Sequence, residues 1–128
     1  MKPKKILIID DEPDVITYLT TVLEAHGFIT NALSNVRVAM LKVKEFTPDL
    51  ICLDIMMPQE TGISFYVKLK KDKNYSKIPV IIISGVVESE KFDFRLFVSD
   101  KTIPPPDYYM EKPINVNKFI DEIEQLIG

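Results

Sequence analysis

The chain has little of what a disulfide-stapled, membrane-spanning or nucleic-acid-coating protein needs. Its one cysteine, Cys52, excludes an internal disulfide. That thiol sits inside an apolar run, where it reads as an inert buried group. No apolar stretch approaches the roughly 20 residues needed to cross a bilayer. The basic start Met1-Lys2-Pro3-Lys4-Lys5 leads into a short apolar run that stops at an acidic pair, too short for a signal peptide. A cytoplasmic protein with no membrane partner is expected. Positive charge is not in excess: the formal net charge is −3, so no overall field favours nucleic acid. The local run Lys68, Lys70, Lys71 and Lys73 reads as a solvated helix face, and no direct nucleic-acid contact is expected. No internal repeat and no linker to a second domain is evident.

What is present is an ordinary globular composition, 46% apolar and 27% charged over 128 residues, enough for one domain with one real core. Strand-like and helix-like patterns alternate five times. Ile6–Ile9 is a continuous apolar run, as in a strand covered on both faces. Pro13 suits the first turn of a helix carrying Val15, Leu19, Val22, Leu23 and His26 at helical spacing, with Gly27 as its stop and His26 placed to complement the helix dipole. Phe28–Leu33 follows as a short strand. Ser34 or Asn35 can cap a second helix with Val36, Ala39, Met40 and Val43 inward. Leu50–Leu53 and Val80–Ile83 read as strands, each introduced by a proline, and a helix spans about 63–71 between them. A short helix over about 88–98, a strand at Tyr108–Met110 and a last helix with Val116, Phe119, Ile120, Ile123 and Ile127 on one face complete the pattern. Alternation of this kind implies a parallel sheet with helices on both sides, in which ligands bind beyond the carboxyl ends of the strands.

Those ends carry the chemistry. One run stops at Asp10-Asp11 and another at Asp54. As neighbouring strands they would bring three carboxylates together, which repel unless a cation relieves them. Hard divalent cations such as Mg²⁺ prefer carboxylate oxygens. Ser84 and Lys112 fall at two further strand ends. A phosphoryl group arriving on Asp54 would find a cation held by Asp10 and Asp11, a fixed positive charge in Lys112 and a hydroxyl in Ser84. Phosphoryl transfer depends mainly on such positioning and electrostatics.

With Asp10-Asp11, Asp54-Ile55-Met56-Met57-Pro58 followed by Gly62, Ser84-Gly85, and Tyr109 before Lys112-Pro113, the chain resembles the response-regulator receiver domains of two-component signalling. The match covers residues 4–127 and suggests one receiver domain over 1–128. The resemblance implies a doubly wound (βα)5 flavodoxin-like three-layer sandwich with a five-stranded parallel sheet of order 2-1-3-4-5. It implies a phosphoprotein rather than a classical enzyme: Asp54 accepts a phosphoryl group from a sensor histidine kinase or phosphotransfer protein. Mg²⁺ (or Mn²⁺) is held by Asp10, Asp11, Asp54 and the Met56 backbone carbonyl. Ser84 and Lys112 bind the phosphoryl oxygens, and Tyr109 turns inward as Ser84 shifts. The Lys112–Pro113 bond is expected to be cis. The face made by the fourth helix, fifth strand and fifth helix would then control a downstream protein or output domain, or form a homodimer. No output domain fits within these residues, so the chain reads as a single-domain regulator or a receiver from a longer protein.

Other functions fit less well. A degenerate receiver that binds partners without phosphorylation would not need the full residue set. An FMN carrier needs a glycine- and hydroxyl-rich phosphate loop where this chain has Asp10-Asp11-Glu12-Pro13-Asp14. A haloacid-dehalogenase-type hydrolase needs an acid at Met56. The stretch between Ser84 and Lys112 departs from the family. It is longer than usual, holds Phe92, Phe94 and Phe97, and ends in Ile103-Pro104-Pro105-Pro106-Asp107, which cannot continue a helix. Packing of those aromatics as a satellite core beneath the longer loop is expected, in preference to a partner surface. Met56 and Val86, two residues past Asp54 and Ser84, offer no polar side chain to orient a hydrolytic water. A long-lived phosphorylated state is therefore predicted, and a phospho-Asp54 lifetime of only seconds in the purified domain would contradict it.

Overall fold

The computed structural model describes residues 2–55, 62–85 and 94–128, apart from the side chains of 96 and 97. Among the described residues five strands and five helices alternate: β1 (Lys5–Ile9), α1 (Pro13–Ala25), β2 (Ile29–Leu33), α2 (Ala39–Phe46), β3 (Leu50–Asp54), α3 (Gly62–Lys71), β4 (Val80–Ser84), α4 (Phe94–Phe97), β5 (Tyr108–Glu111) and α5 (Val116–Ile127). The strands are parallel and ordered β2-β1-β3-β4-β5. Every residue of β3 and β4 is buried, the mark of strands covered on both faces.

Strand alternation divides the core in two. Leu7, Ile9, Ile51, Leu53, Val80 and Ile82 face Ala39 and Val43 of α2, Phe65, Tyr66 and Leu69 of α3, and Phe94 of α4. Ile6, Ile8, Leu50, Cys52, Ile81 and Ile83 face Leu19 and Leu23 of α1 and Phe119, Ile120 and Ile123 of α5. The result is the expected three-layer sandwich. Cys52 is buried as expected, and burial raises its pKa far above the ordinary thiol range. No helix among the described residues is long and apolar enough to cross a membrane.

The helix ends follow their sequences. Pro13 opens α1 after an extended Glu12. Gly27, at φ +88°, closes it: its N–H donates to the Glu24 carbonyl and that of Phe28 to the Leu23 carbonyl, the paired bonds of a left-handed glycine stop. His26 sits at this end with Nδ1 2.9 Å from the Val22 carbonyl.

Three expectations change. Neither Ser34 nor Asn35 caps α2. The Asn35 side chain instead accepts from the Arg37 N–H in a turn, and α2 starts later, after Val38, with no side-chain cap. The basic run is not wholly solvated. Lys70 is half-buried and its ammonium donates to the carbonyls of Ser76 at 3.0 Å and Ile78 at 2.7 Å, because these two carbonyls before β4 lie within its reach. Burial lowers its pKa, opposed by the charge of Asp107. Of the aromatics expected in a satellite core, Phe94 instead joins the main α2–α3 core, with Val98 and Ile103, and the Phe97 side chain lies outside the described residues. Of the helix expected over 88–98, only α4 falls among the described residues; Phe92 lies outside them.

At the start of α5 the Asn115 side chain accepts from the Lys118 N–H at 3.1 Å. Asn115→Ala should lower stability by about 1 kcal/mol in urea unfolding, with the slope against denaturant unchanged.

Candidate functional site

The register sets the site. Ile9 stands opposite Leu53 across the β1–β3 pair, so Asp10 leaves the sheet beside Asp54. The Asp10 N–H donates to the Leu33 carbonyl of β2, holding the first residue past β1 in line. Its side chain accepts from the Glu12 N–H at 2.9 Å, folding the acidic turn back toward the sheet edge. On the far side Ser84 stands opposite Glu111, and the Lys112 N–H donates to the Ser84 carbonyl at 3.1 Å. Four strand ends therefore converge.

Asp10 and Asp54 are nearly buried, at 2% and 4% exposure, and Ser84 is fully buried. One carboxylate oxygen from each of Asp10, Asp11, Glu12 and Asp54 lies within 4.8 Å of the others. Buried charges of one sign need a counter-charge. The Lys112 ammonium provides it, 2.9 Å from Asp10, 2.6 Å from Glu12 and 3.4 Å from Asp54. Burial alone would favour a neutral Lys112. The hydrogen bonds with Glu12 and Asp10 and the nearby charges of Asp54 and Asp10 outweigh it and hold the lysine pKa above its ordinary value.

The structure thus brings Asp10, Asp11, Asp54, Ser84 and Lys112 to one sheet edge. Met56, named for its backbone carbonyl, lies outside the described residues, as does Val86. Tyr109 is half-buried and belongs to the α2–α3 face, while Tyr108 belongs to the other, as strand alternation requires. The Lys112–Pro113 peptide is cis, as expected. Glu12 is a further partner of Lys112 that the sequence analysis did not assign to the site. Only the long-range approach of Lys112 reveals it, and no local spacing marks it. An oxygen-only set of carboxylates suits a hard divalent cation such as Mg²⁺ or Mn²⁺ and not a soft metal.

Gly62 is the other requirement. Its N–H donates to the Ile55 carbonyl, and a Cβ built there would lie 2.5 Å from the Asp54 carbonyl oxygen and 3.1 Å from both Ile55 Cα and Leu53 Cδ1. Only glycine lets α3 start this close under the end of β3.

The response regulator receiver domain family model matches residues 6–124. The polar-differentiation response regulator DivK of Brucella anthropi is 29% identical over 128 residues, covering 98% of each chain. The alkaline phosphatase synthesis transcriptional regulatory protein PhoP of Bacillus subtilis is 33% identical over 112 residues, 88% of this chain but 43% of that one, so the chain spans less than half of that longer regulator. The solved response regulator TrrA of Thermotoga maritima, in complex with Mg²⁺ and BeF, superposes with a TM-score of 0.76 at 26% identity, covering 96% of this chain and 98% of that one.

Gly62→Ala should cost about 1–3 kcal/mol of stability, because the added methyl meets backbone that cannot rotate away. Thermal unfolding measures this, and a neutral result would show that the close approach can relax without loss.

Proposed function

The chain belongs to the response regulator receiver domain family, and on that premise we propose that Asp54 is its phosphoryl acceptor in a Mg²⁺-dependent relay. Receiver domains are signalling modules and not classical enzymes. The observation that carries the assignment is the placing of one nearly buried carboxylate, Asp54, between an acidic turn and the Lys112 ammonium.

Asp10 and Asp11 would hold the cation with Asp54, joined by the Met56 carbonyl. When bound, the cation neutralises charge on the phosphoryl oxygens. An Asp54 oxygen attacks phosphorus; the new O–P bond forms as the P–N bond to the donor's phosphohistidine breaks, and the departing imidazole takes a proton from solvent. Lys112 then has a stronger anion beside it. Roughly −1.5 to −2 charge arrives at this edge, and Lys112 exchanges carboxylate partners for phosphoryl oxygens. Ser84, at the end of the neighbouring strand, donates its hydroxyl to the same group. Tyr109, two residues upstream of Glu111, turns inward as Ser84 moves. The α4–β5–α5 face carries the change to a downstream protein or output domain, with a sensor histidine kinase or phosphotransfer protein upstream. The phosphoryl group biases two existing states and creates neither.

The proposed functional unit is a single receiver domain covering the described chain. The TrrA complex with Mg²⁺ and BeF supplies the probe. With Mg²⁺ and beryllium fluoride, amide resonances around Asp54, Ser84 and Tyr109 should shift, and a small-molecule phosphodonor should add one acid-stable, base-labile phosphoryl group per chain. Asp54→Asn should abolish both responses while the fold remains intact by circular dichroism. Phosphoryl uptake undiminished in that variant would place the acceptor elsewhere; no response in the wild-type protein would favour a module that binds partners without phosphorylation.

A further inference from the structure

A second polar knot lies on the α2–α3 face of the sheet, away from the acidic edge. Tyr66 of α3 is fully buried. Its hydroxyl donates to the Pro104 carbonyl at 2.6 Å. Its ring stands edge-on to Phe94, with centroids 5.5 Å apart, and the Lys70 ammonium lies 5.6 Å from the ring centroid. Filling this space requires only a ring, and phenylalanine would do it. The hydroxyl therefore serves its acceptor.

That acceptor lies in the strap leading into β5. The strap is held at several points. The Arg95 guanidinium donates to the Asp100 carbonyl, the Ile103 N–H donates to the same carbonyl, and Asp107 pairs with Val80 through both its N–H and its carboxylate. Pro104, Pro105 and Pro106 have no N–H to donate, so the run offers its own carbonyls no local turn partner. Tyr66 supplies one from a different element. Tyr109 follows in β5 on the same face of the sheet. Burial first, then the charges of Asp107 and Tyr109, raise the Tyr66 pKa above its ordinary value, so these groups share one electrostatic neighbourhood.

We propose that the bond between the Tyr66 hydroxyl and the Pro104 carbonyl is a latch that holds the strap in its unphosphorylated arrangement, making Tyr66 a positioning residue that acts on the acceptor site through Tyr109. The latch rests on the function proposed above. A bond made in one of two states holds the molecule in that state, and one made equally in both shifts nothing. Inward rotation of Tyr109 would draw on the backbone that Pro104 leads into, while Tyr66 stands on α3, which starts at Gly62 close against the end of β3.

Tyr66→Phe keeps the ring, the Phe94 contact and the Lys70 contact, and removes only the hydroxyl. In the variant, the amide signals of Ser84 and Tyr109 should move part-way toward their positions in the wild-type protein with Mg²⁺ and beryllium fluoride. Half-saturation by beryllium fluoride should fall about two- to tenfold, the range that one net hydrogen bond supports. Phe94→Leu, which loosens the same core and keeps the hydroxyl, should lower the melting temperature without either change. Unaltered signals and half-saturation in Tyr66→Phe, even with a lower melting temperature, overturn the latch. An equal response in Phe94→Leu overturns it as well, by reducing the effect to general loosening. A wild-type protein that ignores beryllium fluoride overturns both the latch and the function beneath it, whereas a responsive wild type with an unaltered variant overturns the latch alone.

Discussion

Two nearly buried carboxylates at one edge of a parallel sheet demand a cation, and the chain meets that demand by bringing Lys112 across from the far strand. Removing charge from water is costly unless it is paired and hydrogen-bonded. Asp10 and Asp54 come from neighbouring strands, and neither can withdraw to solvent without breaking the register that places it. Lys112 comes from the end of β5, which two strands separate from β1. Its backbone is fixed through Ser84 before its side chain spans the gap. The electrostatic balance at this edge therefore depends on the order and register of four strands at once, and an error in any of them would leave a buried charge unmatched.

The rest of the fold favours that edge as the part of the sheet where such chemistry resides. The middle strands offer Leu50 to Leu53 and Val80 to Ile83 to two apolar layers, so neither carries a polar side chain before its last residue. Polar side chains are pushed to the carboxyl ends, where parallel sheets of this kind open onto solvent. Gly62 contributes in a different way. By lacking a side chain it lets α3 begin beneath the Asp54 carbonyl, which closes one side of the site with backbone and leaves the other to the acidic turn.

Much of this is legible in the chain, for a physical reason. Buried parallel strands must be continuous apolar runs, and the first charged residue after each run marks its end; hence Asp10 and Asp54 stand out before any coordinate is known. Helix starts and stops with a local cause, such as Pro13 and Gly27, are equally legible. What escapes depends on distant partners. Asn35 has the chemistry of a cap, but its side chain satisfies a nearer N–H, and α2 begins later. Lys70 looks like its neighbours Lys68 and Lys71, yet two carbonyls before β4 draw it inward. Phe94 reads as part of a loop cluster because nothing local announces Tyr66 as its partner. Glu12 is an ordinary helix-start acid until Lys112 arrives from 100 residues away.

The two polar knots differ in kind, and the difference bears on how a signal would leave the site. The acidic edge is held by charge, so a newly attached anion changes its balance directly. The bond of the Tyr66–Pro104 knot joins a hydroxyl to a main-chain carbonyl, so displacement of the strap backbone is what would break it. The path between them is short. Lys112 and Ser84 are joined by one main-chain hydrogen bond, so a shift of either end group is passed to the β4–β5 pair. β5 holds Tyr109 on the α2–α3 face and is continuous with the strap that Tyr66 grips. On the proposed reading, an electrostatic change at one end would become a mechanical load at the other, and a bond made in only one of the two arrangements would set how large that load must be.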